Sequence, residues 1–239
     1  MPDHSRSSAL IFGASIFLGL ALLGVLLSGA AIKFKEYERT VIAKGLSERE
    51  VEADIIIWPI QFTQASNDLV ELYNAIEHNT AEIEKYLVAK GIEAGAISSA
   101  APSITDKSAQ QYANEARVEF RYTALQTVTV YSRNVEGTRK VMNTLSDLGK
   151  KGIVFSGANY ETQPEYIFTQ LNAVKPEMIE EATRNARKVA LEFAADSESR
   201  LGKIKKAAQG QFSIEPRDKN NPHIKKIRVV STVEYYLSD

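Results

Sequence analysis

The chain has 239 residues, of which 44% are apolar and 25% charged, with no cysteine and a formal net charge of −1. That length and apolar content suffice for a buried core and exclude wholesale disorder. Lys and Arg interleave with Asp and Glu, which excludes a dedicated nucleic-acid-binding face, and the lack of cysteine excludes disulfides, thiolate metal sites and cysteine nucleophiles.

Residues 1–8 read as a short tail. No charge occurs from Ser7 to Ile32, and residues 9–32 are strongly apolar. As a helix, that segment would be about 36 Å long, enough to cross a hydrocarbon core of roughly 30 Å. Ala9, Phe12, Phe17, Leu22, Leu27 and Ile32 mark the residues expected to enter the bilayer. The apolar region of a cleaved signal is about 7–15 residues long, so the length here favours a retained anchor. Ser28-Gly29-Ala30 leaves cleavage before Ala31 open as the alternative. Arg6 precedes the segment and Lys33, Lys35 and Arg39 follow it, so the positive-inside count mildly opposes export. An early apolar segment nevertheless reads as an export signal, and the C-terminal domain is expected outside the cytoplasm. Ser15 with Gly19 and Gly24 with Ser28 form small-xxx-small pairs, for which chance in a small-residue span is the simpler explanation.

Residues 33–39 read as a charged linker and residues 40–239 as one domain. TVIAKGL (40–46) reads as a short strand and VEADIIIWPIQFT (51–63) as a long one. Ile56, Trp58, Ile60 and Phe62 share a face of the latter, and Pro59 implies an edge position or a bulge. A helix is expected over 67–90, with Leu69, Leu72, Tyr73, Ile76, Ile83 and Leu87 inward, a cap at Ser66 or Asn67, and Gly91 at its end. Residues 95–105 look extended, 106–114 a polar loop, and RVEFRYTALQTVTVYS (117–132) a long strand. Asn134 should cap a second helix running to about Leu148, and residues 155–168 look extended again. The pattern strand–helix–strand thus occurs twice, over 51–105 and 117–162.

A third helix follows, with Pro176 suited to its first turn. Ala182, Ala186, Ala190 and Ala194 recur every fourth residue and make a smooth ridge that can lie close to a sheet or another helix. Ile179, Val189 and Phe193 are expected beside that ridge, facing inward. The C-terminal segments 203–214 and 226–237 read as a hairpin through the turn-rich EPRDKNNPH. The fold class is therefore α+β: two strand–helix–strand units, a long Ala-rich helix and a C-terminal hairpin, preceded by one N-terminal transmembrane helix.

EATRNARKVALEFAADSESRLGKIKK (181–206) resembles the most characteristic stretch of the SIMPL-domain family, with spaced alanines among basic residues, then Leu-Gly and a strand. VIAKG (41–45), LVAKGIEAGAIS (87–98), FRYTALQTVTVYSRN (120–134) and GIVFSGANY (152–160) fall in that family's order. One departure is Ala53-Asp54, where the family often has Pro-Asp. The resemblance implies an α+β fold, an exported or envelope-associated location in bacteria, and self-assembly into large rings or channel-like oligomers. It also implies a link with oxidative-stress defence and immunogenicity, with no established enzymatic reaction. Many members have a cleaved signal, so a retained anchor would set this chain apart.

No catalytic constellation is visible. His4, His78 and His223 fall in separate contexts, and no nucleophile elbow, dinucleotide fingerprint or P-loop occurs. Glu48, Glu50, Glu52 and Asp54 would share one strand face, most simply a solvated one. Tyr112, Tyr122, Tyr131, Tyr160, Tyr166, Tyr235 and Tyr236 lie on expected strands, as interface residues or plain strand formers. The expectation is a non-enzymatic, self-assembling envelope protein, with no cofactor, metal or nucleic acid. It would be a single-pass protein of the bacterial inner membrane with its domain in the periplasm, tethered to the bilayer by residues 9–32. The alternatives are a soluble periplasmic form after cleavage, and a monomeric or dimeric binding module with a small ligand or peptide in a cleft between the two strand–helix–strand units.

Overall fold

A computed structural model describes residues 3–36, 39–109, 119–157 and 162–238. The expected strand positions 117–118, much of the polar loop, and Tyr112 and Tyr160 lie outside the described residues. Helix α1 spans Asp3–Glu36. The chain divides into two compact units. A central unit is formed by 50–173 and 214–226; a terminal unit is formed by residues up to 49 with 174–213 and 227–239.

Strands β1 (Thr40–Glu52), β8 (Arg200–Gln209) and β10 (Ile224–Ser238), which lie mainly in the terminal unit, form a sheet in the order β1–β10–β8; β9 (Ser213–Pro216) also pairs with β10. Strand β10 alternates as its sequence does. Ile227, Val229, Ser231, Val233 and Tyr235 are buried on one face, the period-2 pattern of a sheet covered on one side. Helix α5 (Leu171–Asp196) supplies the cover. Its Ala182, Ala186, Ala190 and Ala194 are all buried, and Ala186 and Ala190 pack with Ala43, Val233 and Tyr235.

The inward residues of β1 are equally small: Ala43, Gly45 and Ser47. A Cβ on Gly45 would overlap the Ala182 carbonyl oxygen and the Ala186 nitrogen and lie 2.9 Å from the Ala186 Cα. Helix backbone thus rests directly on strand backbone, which only glycine permits. Polar bonds secure the approach. The Ser47 hydroxyl donates to Glu181 at 2.7 Å, Asn185 donates to the Leu46 carbonyl at 2.8 Å, and Arg49 pairs with Glu177 at 2.7 Å.

Three expectations for this unit are corrected. Helix α5 begins five residues before Pro176, so the proline lies inside the helix rather than in its first turn. Its ring leaves the Asn172 carbonyl without an intrahelical donor, at an exposed turn where water can serve. Phe193 is 56% exposed instead of inward, because it is rotated about 100° from the buried Ala194; Met178 takes an inward place instead. Strand β1 runs on to Glu52 rather than ending near Leu46.

In the central unit, β2 (Ile55–Ser66) and β5 (Tyr122–Ser132) pair antiparallel over eleven positions, with Trp58 opposite Val130 and Phe62 opposite Gln126. The short strands β3 (Ile97–Ser99) and β4 (Ser103–Asp106) flank β5; β6 (Val154–Phe155) and β7 (Glu165–Ile167) flank β2. Each strand–helix–strand unit therefore lends its second strand to the other's first. They interlock in one sheet, and the expected cleft between them is filled by the β2–β5 ladder.

Ile56, Trp58, Ile60 and Phe62 face a core with Leu72, Ile76, Ile83 and Leu87 of helix α2 (Leu69–Ala89). Pro59 lies between the stretch paired with β7 (55–57) and the stretch paired with β6 (62–63), so β2 is locally an edge there. The cap of α2 is Asp68, whose carboxylate accepts from the backbone N–H of Val70 and Glu71, rather than Ser66 or Asn67. Leu69 and Tyr73, expected inward, are exposed near the start of the helix. The second helix breaks into α3 (Val135–Met142), capped by Asn134 as expected, and a single turn α4 (Ser146–Gly149).

Gly45→Ala should lower the urea unfolding free energy of the full chain in detergent by at least the roughly 1–3 kcal/mol typical of overpacking. Ala186→Leu should cost about 1–3 kcal/mol. Gly149→Ala, where a Cβ meets nothing within 4 Å, should leave the midpoint unchanged or raise it.

Candidate functional site

Helix α1 is apolar all round. Its segment from Leu10 to Lys35 is long and apolar enough to cross a membrane or to serve as a signal sequence, and its most apolar stretch is not buried against the rest of the chain. Phe12, Phe17, Leu22, Leu27 and Ile32 are all exposed, and Ala9 lies within the helix. The two serines of the span are satisfied internally: Ser15 donates to the Phe12 carbonyl at 2.9 Å and Ser28 to the Val25 carbonyl at 3.0 Å. No hydroxyl of these two would enter hydrocarbon unpaired.

The second feature is the outer edge of β8. Ten residues long, it pairs with β10 on one side, and every residue but Leu201 is exposed. Lys203, Lys205 and Lys206 decorate it, the usual protection of an open edge. Lys205 is turned back onto its own sheet, 3.1 Å from Glu234 and 5.7 Å from the Tyr236 ring centre. Ile204 remains 51% exposed. The opposite edge, β1, is partly dressed by α5 through the Asn185 bond to Leu46.

The strand carboxylates do not converge. Glu48 pairs with Arg228 at 3.3 Å and Glu50 with Arg217 at 3.6 Å, on the exposed face of β1. Asp54 stands apart beyond the end of that strand, accepting from the Thr169 backbone N–H at 3.0 Å and its hydroxyl at 2.8 Å. This is the place of the Ala53-Asp54 departure, and the aspartate there ties the start of β2 to the segment after β7. Among the described residues no group of three or more His, Asp or Glu could hold a metal ion. Of the described tyrosines expected on strands, Tyr166 and Tyr235 are buried, Tyr122 and Tyr236 are half-buried, and Tyr131 is exposed.

One titratable cluster was not legible in the sequence. The Tyr166 ring lies 6.0 Å from that of His223, and Arg139 lies close enough to act on the Tyr166 phenol. Burial pushes the phenol pKa up, against a smaller opposing effect of Arg139. Burial pushes His223 down from 6.5, assisted by Arg139 and opposed by Glu52 and Glu136. Burial likewise lowers Lys225, opposed by Glu165. The His223 Nδ1 is buried without a hydrogen-bond partner. The residues come from α3, β7, the loop before β10 and the start of β10, which sequence spacing does not bring together.

A family model described as SIMPL: Protein of unknown function (DUF541) matches residues 41–233. The chain belongs to the SIMPL family. No curated protein matches it. The matched span opens at Val41 in β1 and closes at Val233 in β10, so it takes in segments of both compact units, Gly45 and the whole alanine ridge. Helix α1 lies outside it.

Burial in the folded SIMPL chain lowers the His223 pKa below its ordinary value of 6.5, so near that value the unfolded chain binds more protons. Stability is therefore fully present above that value and falls as the pH drops below it. His223→Phe should flatten that part of a stability-versus-pH curve measured by denaturant unfolding.

Proposed function

We propose that this SIMPL protein is a single-pass, self-associating component of the bacterial envelope, anchored in the inner membrane by α1 with its folded units in the periplasm. Its role is structural or interactive rather than enzymatic, in the setting of oxidative-stress defence that the family resemblance suggests. The observation that carries self-association is β8: a ten-residue edge with exposed backbone and an exposed Ile204. A strand edge of this length can accept a strand from a second copy through main-chain hydrogen bonds. The observation that supports anchoring is the fully exposed apolar surface of α1. A chain without cysteine is also suited to an oxidising compartment.

Light scattering on a size-exclusion column, with the full chain in detergent, tests this reading. The expected result is a discrete species at a whole multiple of the 26.5 kDa chain mass, reduced in size by Ile204→Pro with the circular dichroism spectrum retained. A single-chain mass at every concentration would sink it. Intact mass of the chain recovered from the cell separates the anchor from the alternative: loss of residues 1–30 would show a cleaved, soluble form.

A further inference from the structure

A second site lies within the central unit and is independent of the assembly surface. A cavity of about 510 Å³ opens between α3, the start of β7 and the loop that precedes β10. Its wall carries Arg139 and Lys140 from α3, Lys219 and Asn220 from the loop, and the Tyr166 phenol. Glu136 is the one carboxylate lining it, and it is shared between Arg139 and Lys140 at 3.4 Å each. Those distances are long for charge-assisted bonds, so much of the donor capacity of both cations is unspent. Three cations against one carboxylate leave the wall with a net charge of +2.

The hydrogen-bonding inventory points the same way. Guanidinium, ammonium and amide groups all offer N–H donors. The Tyr166 phenol on the same wall adds an O–H donor. Burial keeps that phenol protonated. Other nearby carboxylates do not line the cavity; Glu165 acts on Lys225.

The loop is set in advance. The Asp218 carboxylate accepts from the backbone N–H of Asn220 at 2.9 Å and of Asn221 at 2.8 Å, from the Asn221 amide, and from Arg217 at 2.9 Å. Those bonds hold its pKa down to about 2, with the Arg217 bond the largest cause. Lys219 and Asn220 are therefore presented by a braced turn. Arg139 and Lys140 alone would be explained as cations in the last turn of α3, where they complement the helix dipole. Lys219 comes from a different element, and the dipole does not explain its place on the same wall.

We propose that this cavity binds a dianionic phosphate group carried on a small organic substituent. Charge of +2 matches the dianion, and the volume falls in the range of small-molecule sites, leaving room beyond the phosphate itself. The same chemistry could come from a soluble phosphate monoester or from the headgroup of a lipid with a terminal phosphate.

The test uses the full chain, in detergent for glycerol phosphate and in phosphatidylcholine nanodiscs with or without phosphatidic acid. Calorimetric titration at fixed ionic strength is expected to show saturable binding of one of the two probes. Lys219→Gln and Arg139→Gln should each weaken it about tenfold or more, as loss of a hydrogen bond to a charged group does. Lys203→Gln, on β8, should leave it unchanged. Which probe binds identifies the source of the phosphate. Absence of saturable binding to both, or equal binding by Lys219→Gln, Arg139→Gln and the unaltered chain, would overturn the proposal. Unchanged unfolding midpoints of the two variants separate a lost ligand contact from a lost fold.

Discussion

The terminal unit depends on one contact, the seat of the α5 backbone on β1 at Gly45. A Cβ at that position would overlap the peptide atoms of Ala182 and Ala186, so strand and helix meet without side chains between them. The alanine ridge follows from this. Any larger residue at Ala182 or Ala186 would lift the helix from the strand, and Ala43 and Ser47 on either side of Gly45 keep the approach open along β1. Bulk is supplied instead by β10, where Val229, Val233 and Tyr235 fill the space over the centre of the sheet. A helix is about 10 Å across and strands lie about 4.8 Å apart, so one helix covers roughly two strands. Having settled over β1 and β10, α5 leaves the third strand bare. The open edge of β8 is thus a geometric result of the close seat at β1.

The central unit solves a different problem. Two strand–helix–strand units would each be a marginal fragment alone. By pairing β2 with β5 and exchanging their shorter strands, they build a six-stranded sheet with one continuous core. Pro59 is tolerated because β7 and β6 pair with β2 on either side of it and leave a gap at its position. Where the sheet ends, loops carry the chemistry. Asp54 and Asp218 each accept several hydrogen bonds and brace a turn, and the second of these turns brings Lys219 to the cavity beside α3.

Much of this was legible in the sequence. The four-residue period of Ala182–Ala194, the alternation of β10 and the uncharged run before Lys33 are local patterns, and local patterns translate directly into a buried ridge, a half-covered strand and an apolar helix. Gly45 lay inside the expected strand at 40–46, but its contact with Ala182 and Ala186 is long-range and did not show in the sequence. Long-range facts were not legible. The break at Ala53-Asp54 depends on Thr169, more than a hundred residues on, and the Ala53 N–H is taken by the His223 carbonyl. Phe193 was misplaced because hydrophobicity suggested burial, whereas the ridge had already fixed the rotation of α5. The division into two units was hidden because the terminal unit is assembled from three separate segments.

Hydrogen–deuterium exchange on the full chain in detergent, followed as the chain is concentrated, addresses the open edge directly. If α5 leaves β8 free to meet a second copy, amides in residues 200–209 gain protection with concentration while those of β10, already paired on both sides, stay constant. Exchange in 200–209 that is as slow in dilute as in concentrated samples, or fast in both, would contradict the proposal that copies of this SIMPL protein meet through β8.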